Sequence, residues 1–476
     1  MTRGATAIGV LTTLLWGARV APADGGEGTD WRQDGSGVVD ASLPPRLTRM
    51  WSKPTAAWSN ASPLVLEDII VTTEEPDTLI AVDRQTGTLR WRERNPYTLT
   101  LPLQEQPAFE ARTEAVPVLQ QKLSDVRQEL SRIKRALRAD PTNLALHGTS
   151  SDLQQTMSDT FEALDALSPM WPIDDREAIG YAGHPVVSDG TTIYALFGTG
   201  VMTARDAQDG TLRWATWLGP APPQMRGYTL GTAAAPLLVD DTLVVAHATL
   251  RGLNPSTGKT RWVGPAYTDY GSPAVVQPER STALVATPDG HLIRVTDGQV
   301  VASGLGDLWY ASPVAQGDLV AWFGGHNDVQ VSLGHRQSVR VHRVTADANA
   351  VRTQEVMATE IDHKTSIYAT PSFLDGRLVV IDSVGQLLQA DGTTRRVAPE
   401  ARFEGATGTI YSSGIWGGDT VWSGSAEGTI WQYIREADAW NRAVLLETAD
   451  LRSTPVWADG VLYVRTLEAL EAWRAP

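Results

Sequence analysis

The 476-residue sequence contains no cysteine. Disulfides, thiolate metal sites, cysteine nucleophiles, covalently attached c-type haem and a lipid-modified cysteine are therefore excluded. Charged residues are also scarce, at 20%, and the acidic ones predominate, which gives a formal charge of −15 and a pI of about 5.0. Because such a surface repels a phosphate backbone, the composition argues against nucleic acid as a partner.

Long apolar runs are missing except near the N-terminus. There, Arg3 is followed by an apolar run over residues 5–16 and then by the small-x-small pattern Ala21-Pro22-Ala23. The run is too short to span a bilayer, so residues 1–23 are predicted to be a cleaved secretory signal peptide. No later stretch predicts a transmembrane segment. We therefore expect an exported protein, located in the periplasm or secreted.

Glycine (42 residues), proline (28) and tryptophan (17) are plentiful, which is typical of many short strands separated by turns. One sequence unit recurs over residues 81–91, 204–214 and 252–262 and is predicted to form a strand end, a tight turn and a strand. Aspartate or asparagine suits the start of the turn, glycine its positive φ, and tryptophan the anchoring of the next strand. The residues in these roles are Asp83, Gly87, Trp91, Asp206, Gly210, Trp214, Asn254, Gly258 and Trp262.

A second element, a small residue with proline followed by two apolar strands, marks the start of each unit. Units begin near residues 63, 185, 236, 273, 313, 371, 414 and 455. Most of the gaps match one four-stranded propeller blade. The last unit ends before a fourth strand is complete, and we expect Arg46–Trp51 to supply that strand and close the ring.

These turns resemble those of the pyrroloquinoline-quinone-like β-propeller repeat family, whose motif is Ala-x-Asp-x-x-Thr-Gly-x-x-x-Trp. Residues 81–91 match it fully, and residues 204–214 depart from it only at Asp209. The resemblance implies an all-β, eight-bladed propeller of four-stranded blades. Non-enzymatic members of the family include the periplasmic propeller subunit of the outer-membrane β-barrel assembly machine, to which this sequence is similar in style and unit number.

The long gap between the first two units predicts an inserted antiparallel α-helical hairpin between blades 1 and 2. Between Glu114 and Arg138, apolar residues alternate at spacings of three and four, which is a heptad seam, and a second helical pattern covers 150–167. We assign 24–102 to the N-terminal segment and blade 1, 103–170 to the hairpin and 171–476 to blades 2–8. The helices either satisfy only each other or form a docking arm.

Four tyrosines stand at the same position of four consecutive units: Tyr270, Tyr310, Tyr368 and Tyr411. By topology they share one propeller face with the hairpin. They are interpreted either as packing at the channel mouth or as a recognition surface, since tyrosine is enriched at protein interfaces.

The resemblance also raises an enzymatic alternative, because quinoprotein dehydrogenases of the family hold the quinone with calcium and use an aspartate base. No ordered set of such ligands is recognisable here, and the histidines show no metal-ligand spacing. We therefore predict no cofactor, no metal, no catalysis, and a scaffold that binds a protein or peptide partner in envelope or outer-membrane protein assembly. The alternatives are a quinone-dependent dehydrogenase with atypical ligands and a propeller that binds a small ligand or glycan.

Overall fold

Eight successive segments of the chain fold as small antiparallel sheets, because each repeats short apolar strands separated by turn residues. The computed structural model describes residues 32, 36–39, 42–167, 179–220, 233–267, 270–278, 283–325, 336–346, 350–361, 365–374, 377–391, 396–401, 403, 408–437 and 439–476. The predicted signal peptide, residues 1–23, lies outside these residues. We number the sheets as blades 1–8 in chain order.

The first of the described strands, β1 (Thr48–Pro54), belongs to blade 8. Blade 1 contains β2 (Leu64–Val65), β3 (Ile69–Glu74), β4 (Thr78–Asp83) and β5 (Leu89–Arg94). Blade 2 contains β6 (Val187–Ser188), β7 (Thr192–Leu196), β8 (Val201–Asp206) and β9 (Leu212–Trp217). Blade 3 contains β10 (Leu237–Val239), β11 (Thr242–Leu253) and β12 (Thr260–Tyr267). Blade 4 contains β13 (Ala274–Val276), β14 (Leu284–Ala286), β15 (Leu292–Arg294) and β16 (Val300–Ala302).

The second half of the ring continues the same pattern. Blade 5 contains β17 (Val314–Gln316), β18 (Leu319–Gly324), β19 (Gln337–Ala346) and β20 (Val351–Ile361). Blade 6 contains β21 (Ser372–Leu374), β22 (Arg377–Ile381), β23 (Leu387–Asp391) and β24 (Arg396–Ala401). Blade 7 contains β25 (Ile415–Gly417), β26 (Thr420–Gly424), β27 (Thr429–Glu436) and β28 (Ala439–Glu447). Blade 8 contains β29 (Val456–Ala458), β30 (Val461–Arg465) and β31 (Ala469–Arg474), and β1 pairs with β31.

The eight-bladed propeller predicted from the repeats is thus confirmed, and so is closure by the N-terminal strand. Seven sheets have four strands. In blade 3 the single long strand β11 takes the place of the second and third strands, since its first half pairs with β10 and its second half with β12.

The apolar core is divided among the blade interfaces. Each of eight buried clusters joins one pair of neighbouring blades, including blades 8 and 1. A middle strand therefore packs on both faces, and β3 and β7 are buried along their whole length. On the outermost strand β5, by contrast, only Trp91 is buried. The interfaces account for the nearly continuous apolar runs in the repeats.

A closed circle of hydrogen bonds, which we call the inner ring, links neighbouring blades next to their first strands. In six steps, the amide of the residue two positions before a first strand donates to the hydroxyl of its counterpart in the next blade. These bonds, 2.8 to 3.3 Å long, run in succession through Ala235, Ser272, Ser312, Thr370, Ser413, Thr454 and Ser62.

The other two steps of the inner ring use different groups. Ser59 and Thr73 of blade 1 donate their hydroxyls to the Ala182 carbonyl, at 2.9 and 2.6 Å. Between blades 2 and 3, His184 Nδ1 lies 2.8 Å from the Ala234 carbonyl. Burial lowers the pKa of His184 to about 3, so the imidazole is neutral, and because a carbonyl only accepts, Nδ1 carries the proton.

Tryptophans on the outermost strands pack on the turn of the following blade. Each indole N–H donates to a turn carbonyl, in the pairs Trp51–Arg84 (3.3 Å), Trp91–Ala207 (3.0 Å), Trp214–Pro255 (2.7 Å) and Trp262–Val295 (2.7 Å). The turn glycine leaves room for the ring, since a Cβ there would lie within 3 Å of it at Gly87, Gly210, Gly258 and Gly298. Trp91 and Trp262 are buried, whereas Trp214 is half-buried.

The first residue of each predicted docking turn organises the turn amides. Asp83 accepts from the amides of Gln85 and Thr86, at 3.1 and 2.9 Å. Its pKa falls to about 2, mainly because Arg90 hydrogen-bonds to the carboxylate. Equivalent side-chain acceptors in the next two turns are Asp206, 2.9 Å from the Gln208 amide, and Asn254, 2.9 Å from the Ser256 amide.

The connection between blades 1 and 2 contains a short 3₁₀ helix (Tyr97–Thr100), α1 (Gln106–Thr113), α2 (Val116–Ala139) and α3 (Leu144–Leu167). The start of α2 packs against the end of α3 through Val116, Leu123 and Leu164, so the two long helices are antiparallel, as predicted. The short helix α1 was not predicted. None of the described helices is long and apolar enough to cross a membrane.

Candidate functional site

The four tyrosines form one continuous row of rings. Each precedes the first strand of its blade, and the inner ring holds these starts side by side. Tyr270 stacks on Tyr310 at 5.4 Å and 20° between planes. Tyr310 meets Tyr368 edge-on at 4.9 Å, and Tyr368 lies 5.0 Å from Tyr411. All four residues are half-buried, so the row is packed and also reaches the surface.

Two further side chains extend this row, and sequence reasoning missed both. Trp309 stacks on Tyr310 at 5.9 Å, and the Arg452 guanidinium lies 5.4 Å above the Tyr411 ring. Arg452 stands two residues before Thr454, which is the spacing that separates Tyr411 from Ser413. This shared spacing could have identified Arg452 from the sequence. It was missed because only aromatic residues were considered at that position.

The corresponding positions in blades 1–3 hold Asn60, Ala182 and Ala233. The mouth of the channel is therefore asymmetric: blades 4–8 contribute aromatic rings and a cation, and blades 1–3 contribute small or amide side chains. Ring faces bind apolar and aromatic groups, and a guanidinium binds carboxylates. This arrangement suits a ligand with apolar side chains and an acidic group.

The donor set differs from the one that a calcium-held quinone requires. The eight equivalent positions at the mouth hold four tyrosines, an arginine, an asparagine and two alanines, and none of them supplies a carboxylate ligand for calcium. Across the described residues, no three His, Asp or Glu side chains come together in a group that could hold a metal ion. The eight equivalent positions thus lack the carboxylate that a calcium-held quinone would require at the mouth.

The helical hairpin and the tyrosine row lie on the same side of the propeller. Both belong to connections that run from the last strand of one blade to the first strand of the next, and all such connections emerge on one side. We call this side the connection face. The docking turns, which join the third and fourth strands, lie on the opposite side.

Aromatic contacts anchor the base of the hairpin to blade 2. Tyr97 lies 4.9 Å from Phe109 of α1 and meets Trp217, on the outermost strand of blade 2, edge-on at 5.0 Å. Tyr181, where the chain returns to blade 2, is buried against the cluster of α2 and α3. The base of the hairpin is therefore fixed on the propeller.

A carboxyl with an altered pKa lies where the chain returns from the hairpin. Glu75 accepts a hydrogen bond from the Ala182 amide at 2.6 Å. Burial raises its pKa to about 7, against the lowering effect of the backbone hydrogen bonds. This side chain joins blade 1 to the start of blade 2.

Part of the N-terminal segment lies against the first strands of blades 6 and 7. Buried Arg32 donates to the Pro371 carbonyl at 3.0 Å and to the Ser372 hydroxyl at 2.6 Å. Val38 forms a parallel bridge with Trp416 of β25. The segment thus adds a short pairing to an innermost strand before the chain reaches β1.

Comparison with known proteins places this architecture. The family profile described as outer membrane protein assembly factor BamB matches residues 156–398, just over half of the chain. Among solved structures, BamB from Moraxella catarrhalis is 13% identical with a TM-score of 0.51, covering 90% of this chain and 98% of that one. No curated protein sequence matches significantly.

Two other solved structures show the same likeness. The computationally designed Ika8 protein is 11% identical, with a TM-score of 0.54 and coverage of 90% of this chain and 99% of that one. A europium-containing methanol dehydrogenase is 10% identical, with a TM-score of 0.55 and coverage of 94% and 98%. At these identities the structural likeness shows the fold alone. The profile match shows more: the chain belongs to the family of pyrroloquinoline-quinone-like propellers described as outer membrane protein assembly factor BamB.

Proposed function

We propose that this protein is an exported, non-catalytic scaffold that holds a protein or peptide partner on its connection face. The observation that carries the proposal is the unbroken row of Tyr270, Tyr310, Tyr368 and Tyr411, which ends at Arg452. Half-buried aromatic rings beside an arginine are typical of the residues that dominate binding energy at protein interfaces.

Membership of the family supports a cellular location for the proposed scaffold. Its description names outer membrane protein assembly, so we place the protein in the periplasm, where the predicted signal peptide would deliver it. The helical hairpin stands on the same face and widens the surface that a partner can contact. The partner segment we expect is extended, with apolar side chains that stack on the tyrosines and a carboxylate that reaches Arg452.

Site-specific photo-crosslinking in the native envelope tests the tyrosine row directly. A photoreactive phenylalanine analogue replaces Tyr310 in one variant and Val444, an exposed residue on the outermost strand of blade 7, in the control. We expect a discrete adduct from position 310 and none from position 444. Equal labelling from both positions would contradict the proposal.

Paired substitutions then separate ring stacking from hydroxyl chemistry. Y310A/Y368A should weaken partner capture at least about tenfold, because hot-spot truncation commonly costs 2 kcal/mol or more. Y310F/Y368F retains the rings and should stay within about threefold of wild type. Unchanged capture by the alanine pair, with a normal circular dichroism spectrum, would overturn the assignment.

The dehydrogenase alternative has a separate test. Purified protein is mixed with pyrroloquinoline quinone and Ca²⁺, and the quinone absorbance and dye-linked alcohol oxidation are recorded. We expect neither a spectral change nor turnover. Saturable quinone binding with turnover would replace the scaffold proposal by an enzymatic one.

A further inference from the structure

The two long helices of the hairpin carry opposite charge. The α2 helix contains six basic residues, Lys122, Arg127, Arg132, Lys134, Arg135 and Arg138, and two acidic residues, Asp125 and Glu129. The α3 helix contains no lysine or arginine and four acidic residues, Asp152, Asp159, Glu162 and Asp165. The chain has a formal charge of −15, so a helix with a net positive charge is unusual in it.

Half of these basic residues lie at the tip, where α2 turns into α3. Lys134, Arg135 and Arg138 are exposed, and none of their side chains forms a hydrogen bond or ion pair with another described residue. Asp140 is the one carboxylate in 131–149, and its oxygens accept from Thr142 and Asn143. Cations favour a helix C-terminus only within its last turn, which explains Arg138 but not the other two.

The hairpin carries this tip away from the acidic propeller. Each helix is buried along one stripe, where it meets the other, and its remaining faces are exposed. The described contact with the propeller is at the base, through Tyr181. Twenty-four residues of helix extend roughly 36 Å at about 1.5 Å per residue. Since charges are screened over about 10 Å in salt, the propeller hardly weakens the attraction of the tip for an anion.

We propose that the tip of the hairpin binds an anionic lipid surface. Leu144, at the start of α3 beside these cations, is 84% exposed, so an apolar side chain is available to enter the interface between headgroups. Lysine and arginine next to an exposed leucine complement negatively charged headgroups over apolar chains. The inference is independent of the tyrosine row, and it makes the hairpin a reversible electrostatic tether for the propeller.

Vesicle co-sedimentation of the full chain tests this tether. The probes are vesicles of phosphatidylcholine alone and vesicles with roughly one third phosphatidylglycerol, which supply the surface charge. K134Q/R135Q/R138Q removes the tip cations. The matched control R46Q/K122Q/K259Q removes three other exposed cations without an ion pair in the described chain, so it changes the net charge equally.

We expect wild type to bind the anionic vesicles and not the neutral ones, with binding that weakens as NaCl is raised. Each cation near such a surface contributes roughly a fivefold factor, so the tip variant should lose at least about tenfold in partitioning while the control stays within about twofold. L144S should weaken binding further at high salt. Circular dichroism should be unchanged in every variant, because the substituted side chains are exposed.

Three outcomes would overturn the proposal. The first is equal binding to neutral and anionic vesicles, and the second is equal loss in the tip and control variants. The third is a concentration-dependent dimer in sedimentation velocity that the tip variant abolishes, without vesicle binding. That result would assign the tip to the acidic surface of a second copy of the chain.

Discussion

Single glycines in the docking turns meet two constraints at once, a positive φ and a tryptophan ring. Gly210 has φ 76° and its Cβ would lie 2.9 Å from Trp91, whereas Gly460 has φ 78° and open space around it. We expect G460A to cost about 1–2 kcal/mol for the left-handed backbone. G210A should cost about 1–3 kcal/mol more, because the ring must move. If G210A and G460A lose the same unfolding free energy in urea, the Trp91 ring moves aside without cost and the prediction is wrong.

The inner ring predicts a sharp effect from one hydroxyl. Ser312 accepts the buried Ser272 amide at 2.8 Å, so S312A should leave that N–H without its acceptor and cost about 1–3 kcal/mol in unfolding free energy. S312T keeps the acceptor, and threonine fills the same position at 370 and 454. We therefore expect S312T to stay within about 1 kcal/mol of wild type. Similar losses in both variants would point to packing as the cause.

The residue scale also shows where sequence reasoning stopped. The turns that begin at Asp83, Asp206 and Asn254 could be predicted, because in each a side-chain acceptor and a glycine occur at a fixed spacing. The turn that receives Trp262 begins at Arg294, which has no such acceptor, so it was missed. The inner ring was not predicted from the sequence. Each of its hydroxyl groups meets the amide that donates to it only when the neighbouring blade has folded beside it.

At the scale of elements, periodicity predicted what has a long uniform pattern. The seam of α2 repeats over most of its length, but α1 has eight residues and one anchoring ring, Phe109, and so gave no periodic signal. In blade 3, the stretch between Val245 and Leu250 contains neither glycine nor proline. One strand, β11, therefore continues where other blades turn, with Ala248 at a left-handed φ of 58°.

Two nested deletions test the hairpin as an element. Removing 114–167 with a short flexible linker keeps Phe109 on Tyr97 and should leave the propeller folded, because loop-length changes cost only about 0.6 kcal/mol per doubling. Removing 104–170 also strips α1 from Tyr97, which packs on Trp217, and should lower the melting temperature further. Loss of cooperative melting in the smaller deletion would make the hairpin part of the propeller core.

At the scale of the whole molecule, stability depends on closure. Deleting 31–51 removes Arg32, most of β1 and Trp51, which docks on the turn of blade 1. Trp51 is half-buried, and truncation of a fully buried tryptophan costs about 3–5 kcal/mol, so loss of this ring together with most of β1 should lower the melting temperature severely. A deletion that ends at residue 45 retains β1 and should cost much less. Matching melting temperatures for the two deletions would refute the role of β1 in closure.

The whole-molecule architecture followed from the sequence because repeats report blade number and a missing strand reports closure. Function did not follow in the same way. A BamB and a methanol dehydrogenase share this fold at 13% and 10% identity, so the blades alone do not distinguish assembly from catalysis. The features on which we base the proposed function are additions to the propeller: the tyrosine row, Arg452 and the hairpin.

The pairing of β1 with β31 has a mechanical consequence. Thr48 lies opposite Arg474 and Pro54 opposite Ala469, so the chain enters β1 and leaves β31 at the same end of this strand pair. A force that pulls the termini apart therefore loads these hydrogen bonds one at a time, like a zipper, once the contacts of Arg32 and Val38 have given way. Loading them in parallel, as in shear, would need a far larger force. A ring that resists heat through closure should thus open at low tension when drawn by its ends.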